Sequence, residues 1–173
     1  METAAHIGLG SNLASATGGP AATVEAAIAR LGELGTIEAR SSLYATEPVG
    51  SVAQGEFINA VAALRTALGA ESLLQGLLGI EREFGRVRGT GPAKGPRTLD
   101  LDILLIGDLV VETGELTVPH PGLAERRFVL APLAEIAVEV VHPVLGKTIA
   151  TLLAELPDEG QNRISSVRRV SIL

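Results

Sequence analysis

The sequence contains no cysteine and no tryptophan, and only four of its 173 residues are aromatic. The lack of cysteine excludes a disulfide framework and thiol chemistry, and we expect a protein of the reducing cytoplasm. The four aromatic residues are Tyr44, Phe57, Phe84 and Phe128. Because rings are so scarce, the position of each one is informative about the core or about a binding site.

Long apolar runs and an excess of positive charge are also missing. No apolar run approaches the roughly 20 residues that a membrane helix requires. The N-terminus METAAHIGLGSNL has no basic region followed by an apolar one, as a secretory signal would. The formal net charge is −6, so no global positive field attracts nucleic acid or an anionic membrane. We therefore expect neither partner, and clustered arginines would have to hold any anionic ligand locally.

The order of the apolar segments predicts the fold class. AHIGLG, TIEARSSLYAT, FINAVAALRT and TLDLDILLIG are typical of strands, whereas PAATVEAAIARLGEL and AESLLQGLLGIEREF have helical spacing. Strand, helix, strand, strand, helix, strand is the split βαβ pattern of ferredoxin-like folds. We therefore predict one α+β domain over residues 1–173, a ferredoxin-like βαββαβ sandwich with a largely antiparallel sheet and both helices on one face.

Smaller elements follow this core, and one loop interrupts it. LVVETGELTVPHP predicts a hairpin around Thr113–Gly114, and RFVLAPLAEIA and TIATLLAEL predict short helices. The tail QNRISSVRRVSIL is compatible with an edge strand or with disorder. GRVRGTGPAKGPR, which precedes the last core strand, is rich in glycine and basic residues and predicts a loop.

Two aspartates interrupt the apolar strand TLDLDILLIG. Side chains at positions i and i+2 of a strand share a face and lie about 6.5–7 Å apart. Asp100 and Asp102 should therefore converge, while the leucine between them faces the core. Carboxylates this close repel each other unless cations neutralise them, and Mg²⁺ that arrives with substrate phosphates suits such a pair. The alternative is a solvated outer face on which Arg97 forms a salt bridge.

Three arginines, Arg86, Arg88 and Arg97, lie close to these aspartates in the sequence. Guanidinium groups bind phosphate oxygens in a bidentate manner, so arginines and aspartates together predict a clamp for a polyphosphate. The alternative is an ordinary basic loop. Neither GLGSN nor LGKTIA completes a glycine-rich nucleotide motif, so a nucleotide would have to be held by another arrangement.

The strand FINA offers a candidate site for a flat ligand. Phe57 and Asn59 share one face of this strand, and an aromatic ring beside an amide suits a polar heterocycle. The alternative is that Phe57 belongs to the core and Asn59 caps a turn. Phe128 is a second candidate ring, and His120, which lies between two prolines, is a candidate phosphate ligand.

The stretch KGPRTLDLDILLIG resembles the signature of the 6-hydroxymethyl-7,8-dihydropterin pyrophosphokinase family. Six other stretches resemble the same family in the same order: IGLGSNL, SSLYATEPVG, FINAVAAL, GRVR, LTVPHP and RRFVLAPLAEIAV. The resemblance extends to about residue 155. It implies a ferredoxin-like fold and the transfer of pyrophosphate from ATP to the hydroxymethyl group of the pterin in folate biosynthesis, with AMP as the second product.

The resemblance also implies roles for individual residues. Asp100 and Asp102 would hold two Mg²⁺ ions and would act in catalysis with Arg86 and Arg97. The implied pterin-binding residues are Thr46, Val49, Phe57, Asn59 and Phe128. The implied ATP-binding residues are Glu81, Arg86, Arg88, Arg97, Ile103, Thr117, His120 and Arg126. The glycine-rich loop from Arg86 to Pro96 would cover ATP.

Two other functional classes fit parts of the sequence. A two-metal nucleotidyl transferase or cyclase can also carry paired carboxylates on a ferredoxin-like sheet, but it would prefer a nucleotide or nucleic acid to a pterin. A non-catalytic regulatory domain of the same fold would bind a small molecule without needing the aspartates. For the enzyme we expect small-molecule substrates, a monomer and a cytoplasmic location.

Overall fold

The computed structural model describes residues 1–47, 55–86 and 97–170. Its strands are β1 (Thr3–Ser11), β2 (Thr36–Arg40), β3 (Tyr44–Thr46), β4 (Phe57–Thr66), β5 (Asp100–Ile106), β6 (Val111–Glu112), β7 (Thr117–Val118) and β8 (Val167–Arg169). Its helices are α1 (Pro20–Leu31), α2 (Ala70–Glu83), α3 (Arg127–Ala137) and α4 (Ile149–Glu155). None of the helices in these ranges is both long enough and apolar enough to cross a membrane.

The main sheet has the strand order β5-β1-β4-β3-β8, with β2 also paired to β4, and all of its strand pairs are antiparallel. The predicted ferredoxin-like order of strands and helices is confirmed, as is the hairpin of β6 and β7. The tail forms the edge strand β8, which was one of the two interpretations left open.

One predicted strand, TIEARSSLYAT, is divided into β2 and β3. Ser41 lies between the two strands and is buried. Its hydroxyl accepts a hydrogen bond from the Val61 amide at 2.9 Å, where a continuous strand would supply a backbone carbonyl. A side-chain acceptor thus replaces the regular ladder at the point where β2 and β3 are separated.

The sheet buries apolar side chains on both faces. On the first face, Val24, Ile28 and Leu31 of α1 and Leu73, Leu77 and Ile80 of α2 pack against alternate residues of the strands. On the second face, Leu130 and Leu133 of α3 and Ile149 and Leu152 of α4 form a smaller core. The placement of α1 and α2 together on one face was predicted correctly. The two cores share one sheet, and a single domain over residues 1–173 stays a prediction.

The second core is where His6 is buried, and this has a consequence for stability. His6 is 7% exposed and lies opposite Ala63 and Leu105 in the sheet. Within residues 1–47, 55–86 and 97–170, its Nδ1 has no hydrogen-bond partner. Burial lowers the pKa of His6 from 6.5, although the charge of Glu38 opposes this effect. Below about pH 6.5, His6 therefore binds a proton more readily in the unfolded chain than in the folded chain. The free energy of unfolding consequently falls as the pH falls.

Replacing His6 by leucine should weaken this pH dependence. Between pH 7.5 and pH 5, the His6→Leu variant should lose less stability than the wild type, by up to about 1.4 kcal/mol per pH unit. Urea unfolding at a series of pH values measures the difference. His120 and His142, whose pKa values are also lowered by burial, contribute to the pH dependence of stability that remains in the His6→Leu variant. An identical slope in the two proteins would show that the pKa of His6 is the same in the folded and the unfolded states, which would contradict the effect of burial.

Candidate active site

A cleft opens on the second face of the sheet, where α3 and α4 leave β1, β4 and β5 uncovered. Nine of the residues predicted from the sequence line this cleft: Thr46, Phe57, Asn59, Arg97, Asp100, Asp102, His120, Arg126 and Phe128. They lie in or next to the strands β3, β4, β5 and β7 and at the start of α3. Residues that are up to 82 positions apart in the chain therefore face one space, which a local sequence motif alone cannot arrange.

The register of three strands explains how the cleft is organised. Gly10 of β1 lies between Asp100 of β5 and Asn59 of β4. Two residues earlier, Gly8 lies between Asp102 of β5 and Val61 of β4. Because glycine has no side chain, β1 contributes a groove between a strand that carries carboxylates and a strand that carries an amide and a ring. The cleft thus has a charged side and an apolar side.

The charged side is built by the alternation of β5. Leu101 and Ile103 are 3% and 4% exposed and pack in the first core, whereas Asp100 and Asp102 face the cleft. Arg97 Nη1 donates a hydrogen bond to Asp100 Oδ2 at 2.9 Å. Arg97 is therefore a salt-bridge partner, as one interpretation held, and it also lines the same cleft as the aspartates.

The two carboxylates of the cleft suit Mg²⁺ better than a metal ion whose ligands all come from the protein. The described ranges contain no group of three or more histidine, cysteine, aspartate or glutamate residues that could enclose an ion. Asp100 and Asp102 supply two carboxylates, and the Asp102 side chain is 41% exposed. Mg²⁺ is usually held by one or two carboxylates together with water and substrate phosphates. The two aspartates fit that arrangement, in which the substrate completes the coordination.

The backbone of Arg97 is fixed by Asn12, which follows β1. Asn12 Oδ1 accepts a hydrogen bond from the Arg97 amide at 2.7 Å, and the Arg97 carbonyl accepts from the amides of Asn12 and Leu13, each at 3.0 Å. Asn12 Nδ2 also donates to the Gly55 carbonyl at 3.3 Å. The stretch GLGSN, which does not complete a dinucleotide motif, thus holds the start of the aspartate strand in register with β1.

His120 is held beside Asp102 in a defined tautomer. Its amide donates to the Leu104 carbonyl at 3.0 Å, and its Nδ1 accepts from the Gly122 amide at 3.0 Å. The proton of the neutral ring is therefore on Nε2, which lies 3.9 Å from Asp102 Oδ1. Burial and the nearby charge of Arg126 lower the pKa of His120, with Asp100 opposing them. At neutral pH the ring is an uncharged donor aimed at the carboxylate side of the cleft.

The apolar side combines Phe57 with a fixed amide. Asn59 Nδ2 donates a hydrogen bond to Thr46 Oγ1 at 2.6 Å, which orients the amide plane. A Cβ atom built on Gly10 would lie only 2.7 Å from Asn59 Oδ1 and 3.9 Å from Phe57 Cδ1. The amide therefore occupies the space that the glycine leaves, and the aromatic ring borders the same space.

Phe128, the second predicted ring, lies in the first turn of α3. The guanidinium carbon of Arg126 lies 5.9 Å from the centroid of the Phe128 ring, within the range of a cation–π contact. A Cβ atom on Gly122 would lie 2.6 Å from that carbon, so only glycine leaves room for the guanidinium group there. The start of α3 thus presents a ring and a cation to the same cleft.

Four predicted residues are not in the lining of the cleft. Glu81 is 1% exposed, and its carboxylate accepts a hydrogen bond from the Leu101 amide at 2.7 Å, between the two aspartates. Ile103 is in the core, and Thr117 is half-buried in β7. The Arg86 amide donates to the Glu81 carbonyl at 3.0 Å, and the buried Arg86 Nε has no hydrogen-bond partner among the residues that the structure describes. Their contacts with ATP stay predictions.

Val49 and Arg88 lie outside the described residues, as does the predicted ATP-covering loop beyond Arg86. Sequence reasoning also missed residues that do line the cleft: Gly8, Leu9, Gly10, Glu47, Ala60, Val61, Leu104 and Val129. The two glycines carried a usable signal, since glycines at i and i+2 of a strand indicate close approach to another group. We find no comparable signal for Glu47.

Comparisons with known proteins agree with this geometry. Residues 6–138 match the family model described as 7,8-dihydro-6-hydroxymethylpterin-pyrophosphokinase (HPPK). Two relatives, from Synechocystis sp. and Pseudomonas aeruginosa, are both named 2-amino-4-hydroxy-6-hydroxymethyldihydropteridine pyrophosphokinase. They are each 43% identical to this chain, over 88% and 92% of its length and 75% and 95% of theirs.

A similar solved structure supports the fold. It is the Plasmodium falciparum HPPK-DHPS wild type with pteroate, with a TM-score of 0.74 at 17% identity. The alignment covers 100% of this chain and 46% of that one, so the chain spans about half the length of the solved protein. At this identity the likeness concerns the fold alone, and it agrees with the antiparallel sheet and helices described above.

Proposed function

The chain belongs to the 7,8-dihydro-6-hydroxymethylpterin-pyrophosphokinase family, and from this membership we propose how its cleft serves the reaction. The enzyme transfers pyrophosphate from ATP to the hydroxymethyl group of 6-hydroxymethyl-7,8-dihydropterin in folate biosynthesis. One observation carries the assignment of roles: the cleft that contains Asp100 and Asp102 also contains Phe57, Asn59 and Phe128. A polyphosphate side and a heterocycle side are thus adjacent.

The pterin is proposed to bind on the apolar side. Phe57 and Phe128 stack on the two faces of the ring system, which is flat and aromatic. Asn59 reads the edge of the pterin through its amide, which both donates and accepts. Support comes from the hydrogen bond of Asn59 to Thr46, because a pre-oriented amide loses less conformational freedom when the ligand binds.

ATP is proposed to place its phosphates on the charged side. Asp100 and Asp102 would hold two Mg²⁺ ions, which would neutralise phosphate charge and acidify the substrate hydroxyl. Arg97 and Arg126 lie within the same cleft and are suited to phosphate oxygens, as is Arg86 at the end of α2. His120 donates from Nε2 without bringing a charge of its own.

The main contribution of this chain to the reaction is the alignment of the two substrates. Phosphoryl-type transfer depends on positioning and charge stabilisation more than on covalent catalysis. The register that places Gly10 between Asp100 and Asn59 leaves each binding side one strand spacing from Gly10, and the two sides two strand spacings from each other. The pterin hydroxymethyl group and the terminal phosphates of ATP would therefore meet above the glycine groove.

The finer biological setting is also proposed. A monomer is proposed, and it is supported by the nine predicted residues of a single chain that line one cleft. ATP as co-substrate favours the cytoplasm, where ATP is produced. A net charge of −6 disfavours nucleic acid as a substrate, which separates the assignment from a nucleotidyl transferase that acts on polynucleotides.

The products distinguish the proposed reaction from its rivals. The protein incubated with ATP, Mg²⁺ and 6-hydroxymethyl-7,8-dihydropterin should form AMP and the pterin diphosphate in equal amounts, and omission of the pterin should suppress AMP. Chromatography of the nucleotides measures both. Formation of ADP would indicate transfer of a single phosphate, and release of inorganic pyrophosphate would indicate a nucleotidyl transferase or cyclase.

A further inference from the structure

The C-terminal segment 156–170 lies beyond the family match, which ends at residue 138, yet it contacts two walls of the cleft. It contains short helical turns at Gly160–Asn162 and Ile164–Ser166 and ends in β8. None of its residues was predicted to serve the site. Its contacts are nevertheless with the residues that flank Phe128 on one wall and with the strand that carries Thr46 on the other.

Asn162 connects the segment to the first wall, at the beginning of α3. Its Oδ1 accepts a hydrogen bond from the Arg127 amide at 2.9 Å, and its Nδ2 donates to the Glu125 carbonyl at 2.9 Å. Its backbone carbonyl accepts from Arg127 Nε at 2.6 Å. The bonded residues, Glu125 and Arg127, are the two neighbours of Arg126 in the chain, and Arg127 directly precedes Phe128. One asparagine side chain therefore fixes the turn from which the cation and the ring project.

Ser166 and β8 connect the segment to the second wall. Val167 of β8 is paired with Thr46 in the antiparallel ladder. The Ser166 carbonyl accepts from the Glu47 amide at 3.3 Å, and its hydroxyl donates to Glu47 Oε2 at 3.3 Å. Ser166 is 6% exposed, whereas Glu47 is exposed, so the contact is partly buried. Thr46 and Glu47 both line the cleft.

The two attachment points are joined by a short and internally bonded stretch. Asn162 and Ser166 are four residues apart. The Ser166 amide donates to the Arg163 carbonyl at 3.0 Å, and the Ile164 amide donates to Asp158 Oδ1 at 2.7 Å. A change in the separation of the two walls would have to break these bonds or stretch the segment.

We propose that residues 156–170 act as a positioning segment, in which Asn162 and Ser166 set the distance between the Phe128 wall and the Thr46 wall and thereby the fit of the pterin. The inference rests on the proposed placement of the pterin between these walls. Because β8 and the aspartate strand β5 are at opposite edges of the sheet, Ser166 tunes the pterin side with little effect on the nucleotide side. Asn162 fixes the turn that carries both Phe128 and Arg126, so it acts on both sides.

Asn162→Ala and Ser166→Ala test this role in the full-length chain. Loss of the wall contacts should raise KM for the pterin by about 3- to 10-fold per variant, the effect of about one hydrogen bond. The KM for ATP should stay within about 2-fold of the wild type in Ser166→Ala, whereas in Asn162→Ala it should rise as well, because Asn162 also fixes the turn that carries Arg126. Gln161→Ala is the matched control, since Gln161 is exposed and adjacent to Asn162. Steady-state kinetics with each substrate varied in turn, together with thermal unfolding, give the required values.

The outcomes separate the two levels of the proposal. If the wild type does not turn over the pterin, the proposed function itself is wrong. If the wild type is active and Asn162→Ala behaves like Gln161→Ala, the positioning role is wrong. A lower unfolding temperature with unchanged KM values would show that the segment only stabilises the fold, and an equal rise of the two KM values in Ser166→Ala would contradict a role on the pterin side. A selective rise in the pterin KM supports the positioning role, because a general loss of stability leaves the affinity of the folded fraction unchanged.

Discussion

Asp102→Asn is expected to lower kcat by about 10³-fold or more, in line with the loss of a group that stabilises transition-state charge. The amide that replaces the carboxylate has no negative charge to attract Mg²⁺, and asparagine binds this ion poorly by comparison. Asp102 lies on the cleft side of β5, beside Asp100 and 3.9 Å from His120 Nε2. The substitution keeps the shape of the side chain, so the loss is electrostatic.

The fold of Asp102→Asn should remain intact. The Asp102 side chain is 41% exposed, and removing one of two neighbouring carboxylates relieves repulsion in the ion-free protein. Asp108→Asn is the matched control, because Asp108 is an exposed aspartate just beyond the same strand. The control should retain wild-type kcat, and both variants should unfold at or above the wild-type temperature.

Calorimetry tests the metal directly. Titration of the wild type with Mg²⁺ and a non-hydrolysable ATP analogue should release or absorb heat, and Asp102→Asn should show a weaker or undetectable signal at the same concentrations. Wild-type turnover in Asp102→Asn would remove the carboxylate from the mechanism. An unchanged binding signal with lost turnover would instead place its role in the chemical step alone.

The features that the sequence predicted best depend on local backbone geometry. A strand presents alternate side chains on opposite faces whatever surrounds it, so TLDLDILLIG was enough to place Asp100 and Asp102 on the side away from Leu101. The same holds for α1 and α2, whose apolar spacing identifies a buried face before any partner is known. The order of these elements then selected the fold.

The features that the sequence did not reveal are contacts between distant segments. Asn12 and Arg97 are 85 residues apart, and Ser166 and Glu47 are 119 apart. No periodicity connects such positions, and each of these residue types is common in loops. The break between β2 and β3 was missed for a related reason, since a serine hydroxyl that replaces a ladder carbonyl leaves the apolar pattern unchanged.

Gly10→Ala should separate folding from function. The Gly10 backbone has no positive φ, so alanine fits the local conformation. The nearest atoms to the added methyl group belong to Asn59 and Phe57, with Asn59 Oδ1 at 2.7 Å. A single side-chain amide can move away at small cost to stability, but it then leaves the position from which it reads the pterin. We expect the pterin affinity to fall by about 10- to 100-fold, as for one or two unpaired polar contacts in a binding site.

Gly79→Ala is the control that makes this result interpretable. Gly79 lies within α2, and the atom of the described residues that its added methyl group would meet is Arg82 Nη2, at 3.8 Å. This variant should bind the pterin like the wild type and should be more stable by up to about 1 kcal/mol, because alanine is the better helix former. Fluorescence or calorimetric titration of the pterin and of the ATP analogue measures both affinities. If Gly10→Ala bound the pterin normally, Asn59 would have room to read it from a second position, and the groove between Asp100 and Asn59 would be wider than the contact at 2.7 Å implies.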